Sequence, residues 1–212
     1  MTHKVHPKIY RIRTTSNWDS RGYYEDNFAQ YLSEDYQIRE FLEKQLHTMG
    51  LEKIEIERSP LEVNIIIHSS RPGLIIGRGG EGARKLKDTI EKKIFKDSDK
   101  NIKIEIKEVK EPYLSAALVA KDIAAQLEKR MQYRRVIKQM LHKVIMHRDV
   151  KGVRIEISGR LNGVEIARKE YFQEGQLKRE TLRAEIDYAQ KIARCSYGAI
   201  GIKVFIYKGE KF

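Results

Sequence analysis

The stretch Gly73-Leu74-Ile75-Ile76-Gly77-Arg78-Gly79-Gly80-Glu81-Gly82 decides how the first half of this chain folds. Its glycines at 77, 79 and 82 satisfy a G-x-G-x-x-G pattern, which invites a dinucleotide reading. That reading needs a full strand running directly into the glycines. Pro72-Gly73 interrupts any such strand and leaves only Leu74-Ile75-Ile76, which is too short. A P-loop fails as well, because no Gly-Lys-Ser or Gly-Lys-Thr follows. The stretch parses instead as a short apolar turn, then Gly77-Arg78-Gly79-Gly80, then a long amphipathic helix. Such a loop carries few side chains, so a nucleic-acid backbone can approach it closely. The helix N-terminus adds amide donors and positive potential, and Arg78 adds a cation.

Outward from this loop, residues 82–96 read as that helix, with Ala83, Leu86, Ile90 and Ile94 on one face and lysines and Arg84 elsewhere. Before it, residues 52–58 and 61–68 read as strands joined by a Ser59-Pro60 turn. A helix is expected over 35–49, capped by Asp35, with Ile38, Phe41, Leu42, Gln45 and Leu46 at helical spacing and Gly50 ending it. Residues 102–109 alternate as one more strand. Glu111-Pro112 punctuates the chain, and a domain boundary is expected near it. Beyond it, two helices are expected between Leu114 and His147. Four strands follow, near 151–158, 164–173, 182–195 and 199–208, with turns at Asn162-Gly163 and Tyr197-Gly198.

Composition constrains the partner. The 212 residues carry 42 Lys+Arg against 30 Asp+Glu, a net charge of +12, while 41% are hydrophobic. That is enough apolar material for cores beneath a basic exterior, and such charge argues for a polyanion. The only cysteine, Cys195, excludes an intramolecular disulfide and a cysteine zinc site. No apolar run approaches the ~20 residues of a membrane span, and Met1 to Pro7 lack the apolar core of a signal peptide. A soluble, cytoplasmic protein is expected, with no membrane partner and no small-molecule substrate. The six histidines form no H-x-x-x-H or H-E-x-x-H pair, and Ser158-Gly159 reads as a turn, so no enzyme, metal or cofactor is expected.

The charge is organised. Residues 1–34 interleave Lys4, Lys8, Arg11, Arg13 and Arg21 with Tyr10, Trp18, Tyr23 and Tyr24, which suits a basic arm along phosphates. Residues 129–148 hold seven Lys and Arg and no acid. If helical, Arg130, Arg134, Lys138 and His142 recur at i, i+4 and form one basic stripe, whose mutual repulsion a polyanion would relieve.

The loop Gly77–Gly80 resembles the GXXG loop of KH domains, which clamps about four nucleotides of a single strand. The flanking order of helix, two strands, short helix, loop, long helix and strand is similar to the KH variant of prokaryotic proteins. Gly79 stands where many KH members place a second cation. Over nearly its full length the chain also resembles bacterial small-subunit ribosomal proteins of the S-three family. The resemblance is carried by Lys4-Val5-His6-Pro7, Trp18-Asp19-Ser20-Arg21, Arg71 through Gly80, and Tyr133-Arg134-Arg135-Val136-Ile137-Lys138. Further along it is carried by Val153 through Gly163, Glu165-Ile166-Ala167-Arg168, Leu182 through Tyr188 and Tyr197 through Val204.

The resemblance implies an α+β protein with a basic N-terminal arm (1–34), a type II KH domain (35–110), and a C-terminal α/β domain (111–212) of two helices on a four-stranded sheet. It implies a place in the head of the small ribosomal subunit, with small-subunit rRNA, neighbouring head and entry-channel proteins and mRNA as partners. Arg134, Arg135 and Lys138 match the family's mRNA contacts at the entry channel, where they assist unwinding; Gln139 stands where relatives often carry another cation. Lys4, Arg11, Arg13, Arg84, Lys85, Arg130, His142 and Arg160 are expected as supporting RNA contacts. The alternative is a free-standing KH regulator or assembly factor acting on a defined RNA.

Overall fold

The computed structural model describes residues 5–12, 14–23, 27–59, 62–95 and 101–211. Lys4, Arg13 and Tyr24 of the expected arm, and Pro60 of the expected turn, lie outside the described residues. The chain forms two compact units, one of Trp18–Lys110 and one that joins Met1–Asn17 to Glu111–Phe212.

In the first unit a four-stranded sheet runs β1 (Ser20–Gly22), β2 (Leu51–Arg58), β3 (Glu62–Ser69), β4 (Asn101–Glu108). β2 and β3 are an antiparallel pair, whereas β3 and β4 are parallel. A parallel neighbour requires a crossover, and here the crossover is α3 (Pro72–Ile76), the glycine loop and α4 (Glu81–Ile94). With α2 (Phe28–Gln45) these helices close a core of Ile38, Leu42, Leu46, Ile54, Ile56, Ile65, Ile67, Ile75, Ile90 and Ile102. This is a KH arrangement with one short added strand, β1, whose residue Ser20 accepts a 2.7 Å hydrogen bond from Arg39.

Two details depart from the sequence reading. α2 begins at Phe28, not near residue 35, and Asp35 is a buried mid-helix residue rather than a cap. Its carboxylate accepts from Nε of Arg58 at 2.7 Å, and Glu34 takes the other side of the same guanidinium at 2.7 Å. The extra turns were hidden because Phe28, Leu32 and Tyr36 are exposed and follow no core-facing pattern with Ile38 and Leu42.

The second unit is built on the sheet order β6 (Arg168–Gly175), β5 (Gly152–Gly159), β8 (Gly198–Glu210), β7 (Ala184–Cys195), antiparallel throughout. Two helices, α5 (Ala116–Glu128) and α6 (Tyr133–Ile145), cover one face. Val153, Ile155 and Ile157 of β5 and Ile202, Val204 and Ile206 of β8 point at them, as period-2 alternation requires. The first turn of α5 is capped from across the fold, since the Ala116 amide donates to Asp187 at 2.7 Å. On the opposite face Ile186, Tyr188, Phe205 and Tyr207 form a smaller apolar cluster.

The loops also differ from expectation. Asn162 and Gly163 do adopt positive φ, 57° and 81°, yet they do not close a two-residue hairpin. Gly159 pairs with Arg168, so the connection runs over residues 160–167. Ser158 and Gly159 are the last residues of β5, not a turn. At the other hairpin Cys195 pairs with Gly198, which makes Ser196-Tyr197 the two-residue loop.

The segment read as a free arm is divided. α1 (Pro7–Tyr10) packs beside β7 in the second unit, with His6 edge-on to Tyr188 at 4.7 Å and Lys8 3.4 Å from Asp187. Residues from Trp18 onward belong to the first unit.

Candidate nucleic-acid interface

Three glycines shape the loop. Gly77 ends α3 at φ 69°, Gly79 sits at φ 60° and Gly80 at φ 82°. An L-residue pays roughly 1–2 kcal/mol at each such position, so the path of the loop depends on them. The approach of α3 to α4 depends on Gly82, where a Cβ would lie 2.4 Å from the Ile75 carbonyl oxygen. By contrast, Cβ atoms built at Gly79 and Gly80 meet nothing within 4 Å, so the outer side of the loop is open. The N-cap of α4 is Gly80, so no side chain of the cap residue occupies the first-turn amides. Arg78 and Arg84 are exposed around it, and Lys85 pairs with Glu81 at 3.3 Å. Leu74 and Ile76 stand exposed on the preceding turn.

Sequence reasoning missed an apolar cleft of about 250 Å³ behind this loop, lined by Phe41, Leu46, Met49, Leu74 and Leu86, with Lys85 at its edge. Only the tertiary packing of α2 against α3 and α4 creates it.

The second basic feature lies on α6. Tyr133, Val136, Ile137, Met140, Leu141 and Val144 are buried at helical spacing, which locks the helix against the sheet. Arg134, Arg135, Lys138 and His142 occupy the exposed remainder. Arg134 and Lys138 are one turn apart on one face.

The expected stripe is shorter than its spacing suggested. α5 ends at Glu128, and Arg130 lies between the helices at φ 61°. The Met131 amide donates to Gln126 and the Arg130 amide to Leu127, so the residue closes a Schellman motif in the place glycine usually takes. Arg130 therefore does not stand one turn before Arg134 on a common helix.

Arg134 is held by a carboxylate that sequence reasoning did not single out. Its guanidinium lies 3.2 Å from Glu170, which also accepts from the Tyr133 hydroxyl at 3.0 Å. The hydrogen bond from Arg134 holds the Glu170 carboxyl below its ordinary range, and Glu170 in turn raises Arg134. Alternation along β6 was the available signal, since it places Glu170 and Phe172 on the face toward α6.

Two supporting candidates have other duties. Arg11 is 2% exposed and donates to the carbonyls of Pro7, Arg179 and Thr181 at 2.7–3.1 Å, so it is removed from the RNA-facing set. Arg160 donates to the carbonyls of Val164 and Tyr197 at 3.1 and 3.2 Å and braces the 160–167 loop. Among the described residues no group of three or more His, Cys, Asp and Glu could hold a metal, and no helix is long and apolar enough to cross a membrane.

A KH domain model matches residues 37–114, and a model described as ribosomal protein S3, C-terminal domain, matches residues 123–206. The small ribosomal subunit protein uS3 of Caldicellulosiruptor saccharolyticus is 44% identical over 211 residues, covering 99% of this chain and 93% of the relative. The chain belongs to the uS3 family. The uS3 of Clostridium botulinum is 45% identical over the same share of each chain. Family membership accounts for the order of the two units, since the KH match falls on the loop of Gly77–Gly80 and the uS3 C-terminal match on α6 and its sheet. Relatives of this uS3-family chain are named as ribosomal proteins, and it is not an enzyme.

Proposed function

We propose that the chain is a structural constituent of the small ribosomal subunit head in the cytoplasm, bound to small-subunit rRNA and neighbouring proteins. At the mRNA entry channel α6 grips the incoming strand. The observation that carries this reading is the face of α6. Arg134, Arg135 and Lys138 are exposed on a helix whose other face is fully buried, so their charges are held on a rigid support. Cations placed this way bind phosphates without regard to sequence, as a channel for every message requires. Gly77–Gly80 and the N-terminus of α4 supply a second RNA contact, with Arg78, Arg84 and Lys85 around it. Lys4, Arg13, Arg130 and His142 are supporting contacts.

Holding the single strand as it opens biases unwinding forward while translocation supplies the work. Ribosomes carrying Arg134→Ala with Arg135→Ala should translate through a stable hairpin several-fold more slowly, on the scale of about 1 kcal/mol of lost strand retention. Unstructured message should be read at close to the normal rate. Equal slowing on both templates, measured by single-turnover elongation, would contradict the reading. Sedimentation tests the assembly claim: the chain should stay with small subunits at high salt, where a free-standing regulator would dissociate.

A further inference from the structure

A groove of about 470 Å³ lies between α6 and the edge strand β6, lined by Arg134, Lys138, Lys169, Glu170, Tyr171 and Phe172. Glu170 and Phe172 face the helices, whereas Lys169 and Tyr171 face the other side of the sheet. Both sets border one groove because β6 is the sheet's outermost strand and, among the described residues, has no neighbour beyond it. Lys169 reaches Glu156 at 3.1 Å, yet its side chain remains 63% exposed, so its ammonium stays available at the rim. Tyr171 is 59% exposed, and the Arg154 guanidinium sits 4.0 Å from its ring centroid. Arg154 is itself anchored to Glu156 at 2.8 Å, which fixes the ring from behind.

We propose that single-stranded RNA leaving the α6 cations crosses the free edge of β6, with phosphates on Arg134, Lys138 and Lys169 and one base stacked on Tyr171. The proposal rests on the reading of α6 as an RNA grip and extends its path. Three cations along an open groove favour a polyanion. An exposed aromatic ring beside them adds what single-strand sites add to charge, a sequence-tolerant stacking surface. A guanidinium behind the ring pre-orients it, so less side-chain entropy is lost on stacking. Glu170 fits the same scheme. Its pair with Arg134 is exposed and weak, so an arriving phosphate displaces it while Tyr133 keeps the carboxylate in place.

The test uses small subunits assembled with the full-length chain and programmed with mRNA carrying photoreactive uridines downstream of the decoding site. Cross-links should map to Tyr171. The conservative variant Tyr171→Phe should keep the yield on that peptide, because stacking needs the ring and not the hydroxyl. Lys169→Gln should lower it. Tyr171→Ala should loosen retention of the downstream RNA by about fivefold or more, the scale of one lost stack. Cross-links on α6 with none on β6 would overturn the proposal and leave the α6 grip standing. Cross-links on neither element would overturn both. Protection of Lys169 by a protein segment laid along β6, with RNA confined to α6, would also overturn it.

Discussion

Arg11 and Arg58 show how a strongly basic chain uses some of its charge inward. Arg58 is 3% exposed at its side chain, clamped by Glu34 and Asp35 and flanked by the rings of Tyr31 and Phe95. A buried ion of this kind is tolerated only when its donors are matched. Arg11 has no carboxylate partner among the described residues and donates to three backbone carbonyls, two of them about 170 residues away in sequence. Arg11→Ala should therefore destabilise the second unit by about 1–3 kcal/mol, the cost of leaving half-buried carbonyls without their donor. Arg11→Lys should recover only part of this, because one ammonium cannot span the separated acceptors as a planar fork does. Urea unfolding of the full chain, followed by a probe in the C-terminal sheet, measures both. An unchanged midpoint for Arg11→Ala would mean the segment is not anchored by this residue.

At the scale of elements, the glycine loop and the α5–α6 connection set where the basic groups stand. The glycines of the loop are not equivalent. Gly82→Ala forces a methyl to 2.4 Å from the Ile75 carbonyl oxygen and must separate α3 from α4. Gly79→Ala meets no atom and incurs only the left-handed backbone strain, about 1 kcal/mol. Gly82→Ala should therefore be the more destabilising by at least about 1–2 kcal/mol, on the pattern of overpacked sites. Denaturation of the KH unit in the two variants decides it, and equal losses would refute the close-approach argument. The left-handed Arg130 turn works the same way between α5 and α6. It ends one helix and redirects the chain, and so removes Arg130 from the register of Arg134 and Lys138.

At the scale of the whole molecule, the two larger hydrophobic cores are separate, one beneath the glycine loop and one beneath α6. The core around Ile38, Ile56, Ile65 and Ile90 shares no residue with the one around Ile123, Ile137, Ile155 and Ile202. A fragment of residues 18–110 should therefore fold alone, with a single cooperative urea transition and native-like circular dichroism. A fragment of residues 111–212 should be less stable than the same unit in the full chain, because it lacks the segment carrying Arg11. A disordered 18–110 fragment would show that its core needs the rest of the protein.

Much of this was legible in the sequence. Alternating isoleucines gave β2 and β4, the continuous apolar run of Ile65, Ile66 and Ile67 gave β3, and the helical spacing of Ile137, Met140, Leu141 and Val144 placed a helix where α6 lies, because burial on one face imposes a period on the chain. The glycine spacing indicated the loop, since positive φ is a local demand that glycine meets without the steric cost other residues incur. The run of cations without acids pointed to a polyanion. The tertiary structure alone decided which of those cations face outward. Arg11 is turned inward to distant carbonyls and Arg58 to Asp35, whereas Arg160 stays exposed while bracing its own loop and Arg134 stays exposed beside Glu170. A side chain's charge is written in the sequence. Its partner is set by which segments the fold brings within hydrogen-bonding distance, and here those lie up to 170 residues apart.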